Sequence, residues 1–170
     1  CIRDRNRIFE GNKLRLEDKD ILIMEGIHAL NPEMTSAVDD SRIFRVYVSA
    51  LTSLNIDENN NMSTSDNRLL RRMVRDNRVR GITPEETIMR WNSVRRGESK
   101  NIFPFQENAD ALFNSALIFE LPMLKYYAEP LLRRIAPNSP AYTEAVRLLK
   151  FLDYIVELQP SEIAAIPPTS

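Results

Sequence analysis

Asp20-Ile21-Leu22-Ile23-Met24-Glu25-Gly26-Ile27 is the stretch on which the fold turns. Four consecutive apolar residues between polar flanks predict a strand buried on both faces, the habit of a parallel sheet. Glu25 stands where that strand would end. In open α/β sheets ligands bind beyond the carboxyl ends of the strands. A carboxylate there can hold a hydrated Mg²⁺ beside phosphates.

Working outward, Arg7–Glu17 predicts a hairpin around Gly11-Asn12, with alternating Leu14 and Leu16 on the return. Asn31-Pro32 predicts a helix start, with Asn31 as the cap and Pro32 at the first position. Ile43–Ala50 is the second strand candidate. Ser53–Ser65 is polar and reads as a loop. A helix is predicted from Asp66 to Gly81, where glycine stops it. Thr83-Pro84-Glu85-Glu86 predicts another, with a capping box, reaching about Arg96 and followed by a turn over Gly97–Asn101. Ala116–Leu121 is the third strand candidate. Pro122–Ile135 and Pro140–Leu158 read as helices, and residues 160–170 as a proline-rich tail.

Strands separated by helices predict an α/β fold with a mainly parallel sheet. Three strands are fewer than the usual five or more, so further strands are expected upstream. That expectation agrees with a chain that begins at Cys1 and not at Met.

Composition closes several routes. The 170 residues carry a formal net charge of −1 and only four glycines, Gly11, Gly26, Gly81 and Gly97. No two lie close enough to write GxxxxGK[ST] or GxGxxG, so the usual phosphate cradles are not in these residues. One Cys and one His exclude a Cys/His zinc site. The lone Cys1 fits a reducing compartment. No apolar run approaches the ~18–20 residues of a membrane span.

The near-zero net charge hides an asymmetry. Ten basic and four acidic side chains fall between Arg68 and Lys100, and nine of the ten are arginines. At ~100° per residue, Leu69, Leu70, Met73 and Val74 share one arc of a helix. Arg68, Arg71, Arg72, Arg75 and Arg78 share the opposite one. Like charges at i,i+4 cost a few tenths of a kcal/mol per pair. Asp76 relieves part of this, and a bound polyanion would relieve more. Arginine forks grip phosphate oxygens bidentately.

The apolar strand ending in Glu25-Gly26-Ile27, the run Arg71-Arg72-Met73-Val74-Arg75-Asp76, the joint Arg80-Gly81 and Ala109-Asp110 before an apolar segment together resemble the uridine kinase and phosphoribulokinase family of P-loop kinases. His28-Ala29-Leu30-Asn31-Pro32 and Lys100-Asn101-Ile102-Phe103-Pro104 resemble a bacterial subgroup of longer members. The resemblance covers roughly residues 1–121. It implies the C-terminal portion of a P-loop NTPase-type parallel sheet with flanking helices and a helical lid over about 81–101. Residues 122–170 would be a helical extension used for packing or subunit contact, which leaves a homo-oligomer open.

The resemblance also implies an ATP-dependent transfer of a phosphoryl group to a hydroxyl of a nucleoside-like molecule, with Mg²⁺, in the cytoplasm. Glu25 would be the magnesium-associated carboxylate. Arg75 and Arg80 would act on the transferring phosphate, and Arg71 would join them on ATP. Arg72 and His28 would lie on the acceptor side. The family's phosphate loop and catalytic Asp would lie upstream, so these residues alone are expected to be inactive. Two other readings stay open at this point: a nucleic-acid-binding module using the Arg68–Lys100 face, and a regulatory remnant of a kinase fold.

Overall fold

The computed structural model of the chain describes residues 2–3, 6–7, 11, 15–51 and 63–164. The described residues form a mixed α/β structure in which helices carry most of the core. β1 (Ile2–Arg3) and β2 (Asn6–Arg7) pair antiparallel. The hairpin expected over 7–17 lies mostly outside the described residues, as do the centre of the 53–65 loop and the end of the tail.

β3 (Val46–Ser49) and β4 (Ala111–Asn114) form a parallel pair in the register Val46↔Ala111 to Ser49↔Asn114. Side chains close the pair at both ends. The Arg45 N–H donates to the Asp110 carboxylate at 2.7 Å, and the Arg45 carbonyl accepts from the Asp110 and Ala111 amides. At the other end Asn114 exchanges two hydrogen bonds with the Leu51 backbone, at 3.0 and 3.2 Å. Asp110 thus fixes the strand register.

Two strand expectations are corrected. Ile21–Met24 is irregular and unpaired, and Ile21 and Ile23 are almost fully exposed. The described residues bring no strand beside it, and a buried strand needs neighbours on both edges. The third strand is Ala111–Asn114, not Ala116–Leu121. Leu117 and Ile118 are exposed, and α3 already begins at Glu120. The Arg45–Asp110 clamp, 65 residues apart in sequence, overrides the local apolar run.

α1 (Thr64–Arg80) starts at the Ser63 cap, whose hydroxyl accepts from the Asp66 amide, two residues earlier than expected. It ends at Gly81, in the left-handed region at φ +64°. The Asp76 carbonyl accepts from both the Gly81 and Ile82 amides there. α2 (Pro84–Asn101) opens on the expected capping box between Thr83 and Glu86. It does not stop at Arg96. Gly97 lies inside the helix, because Glu98 is buried and tied to α1. The short joint 81–83 folds α1 and α2 into a helical hairpin.

α3 (Glu120–Arg133), α4 (Tyr142–Leu152) and α5 (Pro160–Ala164) complete the described chain. One buried cluster joins Leu69, Leu70 and Met73 of α1, Ile88 and Trp91 of α2, and Leu132 and Leu148 of α3 and α4. Trp91 is therefore core and not an exposed stacking surface. Lys125 lays its stem against the α3–α4 seam and donates to the Leu152 and Ile155 carbonyls at 2.9 and 2.8 Å. This satisfies the last turn of α4, whose carbonyls have no partner within the helix.

Candidate functional site: the arginine cluster on α1

Asp76 is the centre of the arginine cluster. Its side chain is only 2% exposed and is approached by three guanidinium groups. Arg72 Nε lies 3.2 Å from Oδ2, Arg75 Nη2 3.1 Å from Oδ1, and Arg80 Nη1 3.0 Å from Oδ1. The i,i+4 spacing puts Arg72 and Arg80 one turn to either side of Asp76, which is how one carboxylate reaches both. A buried carboxylate is stable only when it is paired and hydrogen-bonded. Here one negative charge meets three positive ones, so the cluster keeps a surplus of positive charge. The side chains of Arg75 and Arg80 are about half exposed, at 54% and 53%. Their remaining N–H groups make no hydrogen bond among the described residues.

Two other α1 arginines are tied to distant elements, while Arg78 is exposed and has no partner among the described residues. Arg71 Nε pairs with Glu120 Oε1 at the start of α3, at 2.9 Å. Arg68 grips Glu98 of α2 through both guanidinium nitrogens, with Nη1 3.0 Å from Oε2. The like-charged arc read from the sequence is thus neutralised in part by three carboxylates, Asp76, Glu98 and Glu120. Only Asp76 could be seen in the local pattern, since the other two are 30 and 49 residues from their partners. Arg71 is committed to α3 through its Nε and stands apart from the Asp76 group.

Glu25 and His28 are both exposed, Glu25 just after the apolar run Ile21–Met24 and His28 in the turn that follows. Neither makes a side-chain hydrogen bond or ion pair among the described residues, and neither lines the two clefts described next. The structure therefore gathers Arg72, Arg75 and Arg80 but shows no contact that joins Glu25 or His28 to them.

Two depressions lie at the open end of the α1–α2 hairpin, away from Asp76. One, of about 580 Å³, runs between the β3–β4 pair, the first turns of α1 and the end of α2. The other, of about 490 Å³, is a shallow groove along α2 lined by Asn92, Arg95, Arg96, Ser99 and Lys100. Arg95 and Ser99 line both.

No described residues form a group of three His, Cys, Asp or Glu side chains able to hold a metal ion. A Mg²⁺ ion needs only one or two carboxylates, since waters and phosphate oxygens fill its other positions. Glu25, exposed and free of partners among the described residues, has the chemistry of one such ligand. No helix among the described residues is long and apolar enough to cross a membrane.

The described residues thus show a mixed α/β chain with a parallel strand pair and an arginine cluster that keeps surplus positive charge. Residues 4–118 match the family model described as the phosphoribulokinase / uridine kinase family. The chain belongs to that family, which is one of kinases. Comparisons with curated proteins and with solved structures returned no match.

Proposed function

We propose that this chain forms the lid-side, arginine-bearing part of an ATP-dependent kinase that phosphorylates a hydroxyl of a nucleoside-like small molecule. The observation that carries the reading is the surplus positive charge fixed on Asp76, within a chain of a kinase family. Phosphoryl transfer needs reactants in line and positive charge against the phosphate oxygens. Arg75 and Arg80 meet the second need without moving far, because Asp76 already holds them.

In this reading the γ-phosphorus passes from the bridging oxygen of ATP to the acceptor hydroxyl oxygen. ADP leaves, and the hydroxyl proton departs to a base outside the described residues. Arg75 and Arg80 hold the equatorial phosphate oxygens and Arg72 faces the acceptor. Glu25 would supply one carboxylate to a magnesium ion, which when bound would offset the charge of the phosphates. His28 contributes to the acceptor side, and the helical segment over 81–101 serves as the lid that excludes water. The 170 residues contain neither GxxxxGK[ST] nor GxGxxG, so this reading requires a phosphate cradle from elsewhere. The P-loop assignment therefore belongs to this proposal.

The test has two arms. The 170-residue chain with ATP, Mg²⁺ and a panel of nucleosides should form no product. A complete protein containing GxxxxGK[ST] should be active, and Arg75→Ala in it should lower kcat at least ~100-fold, the order expected for losing a transition-state charge contact. Turnover by the 170 residues alone, or an unchanged kcat in the variant, refutes the reading.

A further inference from the structure

Arg68, Arg71, Arg72, Arg75 and Arg80 of α1 each meet a carboxylate of the chain. Arg78 is exposed and meets none among the described residues. On the outer face of α2, Arg95, Arg96 and Lys100 are exposed and have no acidic partner among the described residues. They lie within two turns of one helix, where like charges repel. All three line one groove with Asn92 and Ser99, and Arg95 and Ser99 carry that groove into the larger cleft beside the strands.

The larger cleft has complementary walls. Tyr47 and Phe103 provide aromatic surface, Ser49 and Ser99 hydroxyls, Gln106 an amide and Glu107 a carboxylate. The Arg68–Glu98 fork stiffens the wall between α1 and α2. A volume of about 580 Å³ lies in the usual range of small-molecule sites. An aromatic and hydrogen-bonding chamber that opens onto an unneutralised basic groove suits a ligand with a planar polar body and an anionic tail.

We propose that this joined cleft is a second ligand site, taking a small phosphorylated molecule whose planar body enters between Tyr47 and Phe103 and whose phosphate meets Arg95, Arg96 and Lys100. It is separate from the Asp76 cluster. Arg68 lies eight residues before Asp76 and twelve before Arg80, about 12 and 18 Å along α1 at ~1.5 Å per residue. The proposal does not rest on the kinase reading: it uses none of Glu25, His28, Arg72, Arg75 and Arg80, although Arg95, Arg96 and Lys100 lie on the helix which that reading makes the lid.

The test is calorimetric titration of the 170-residue chain with adenosine 5′-monophosphate, adenosine and inorganic phosphate. The monophosphate should bind saturably and more tightly than adenosine or phosphate alone. Arg95→Gln and Arg96→Gln, both at exposed positions, should each weaken it at least tenfold with unchanged circular dichroism. Arg134→Gln, at an exposed arginine just beyond α3, should leave it unchanged, and Arg75→Gln is measured beside it. Amide shifts of Ser49 and Ser99 should follow the titration. The proposal is overturned if none of the three probes binds up to millimolar concentration, or if binding depends on Arg75 and not on Arg95. It is overturned equally if the chain saturates only with a single-stranded oligonucleotide. Dependence on Arg75 alone would still be compatible with the kinase reading, so the two fail separately.

Discussion

Arg68 and Glu98 close the open end of the α1–α2 hairpin with a two-pronged ion pair, 30 residues apart in sequence. Glu98 is buried, whereas Arg68 keeps about a third of its side chain in water. The pair is thus asymmetric: losing the arginine strands a buried carboxylate, while losing the glutamate frees a cation that water can reach.

That asymmetry predicts that Arg68→Ala destabilises the chain more than Glu98→Gln. The expected losses are about 3 and about 1 kcal/mol, the scale for an unpaired buried charge and for one charged hydrogen bond. Urea denaturation of both variants and of the double variant checks this. Equal losses would show that the buried carboxylate is not the costly partner.

Asp76→Asn keeps the shape of the buried side chain but removes the charge that three arginines share. A loss of about 3 kcal/mol is expected, since the guanidinium groups are left to repel one another over a buried amide. Arg75→Ala should cost less than about 1 kcal/mol, because that arginine is half exposed and Asp76 keeps two partners. Stability therefore separates the two positions in the opposite order to the kcat effect expected for Arg75.

Gly81→Ala should destabilise by about 1–2 kcal/mol, the cost of a left-handed conformation for a residue with a Cβ. Its φ is +64° and nothing lies within 4 Å of an added Cβ, so the cost is backbone strain without a clash. Gly81→Asn should recover part of it, since asparagine tolerates this region better. Thermal melts of the pair decide the point. A larger loss in Asn than in Ala would exclude strain as the cause.

Arg147 ties α4 to the start of α1. It donates to both Asp66 carboxylate oxygens, at 3.0 and 2.6 Å, and to Glu144 at 2.9 and 2.7 Å. The bonds to Glu144, then to Asp66, raise its pKa above the ordinary guanidinium value. A raised value means the stabilisation is fully present below the ordinary guanidinium range and is lost only as pH climbs beyond it. Arg147→Met should therefore cost about 1 kcal/mol, with no change in that cost between about pH 6 and 10. Melting curves across that range measure it, and a cost that fades by pH 10 would contradict the pairing.

What could be read from the residues follows the range of the forces involved. The Thr83–Glu86 capping box, the Asn31 cap and the Gly81 stop were all legible, because each is settled by hydrogen bonds within a few residues. Gly97 misled for the opposite reason: Glu98 is held by an arginine 30 positions away, and that tertiary tie outweighs the small helix penalty of glycine. The apolar stretches Ile21–Met24 and Ala116–Leu121 read as strands. Apolarity states a wish for burial but not a partner, and the Arg45–Asp110 clamp gave the pairing to 111–114. In the candidate site, the i,i+4 arginines around Asp76 were visible in the sequence. The ties of Arg71 to Glu120 and of Arg68 to Glu98 were not, since nothing local encodes them. The cleft between the strands and the helical hairpin is assembled from five separate stretches of chain, and so it left no signature.

The unpaired ribbon at Ile21–Met24 has a practical consequence for anyone handling this polypeptide. Its amides and carbonyls find no sheet partner among the described residues, and its greasy side chains face the solvent. Such a ribbon is a template on which further copies can stack edge to edge. Preparations of the chain by itself should become turbid as concentration rises, and exchanging Ile23 for lysine should keep them clear.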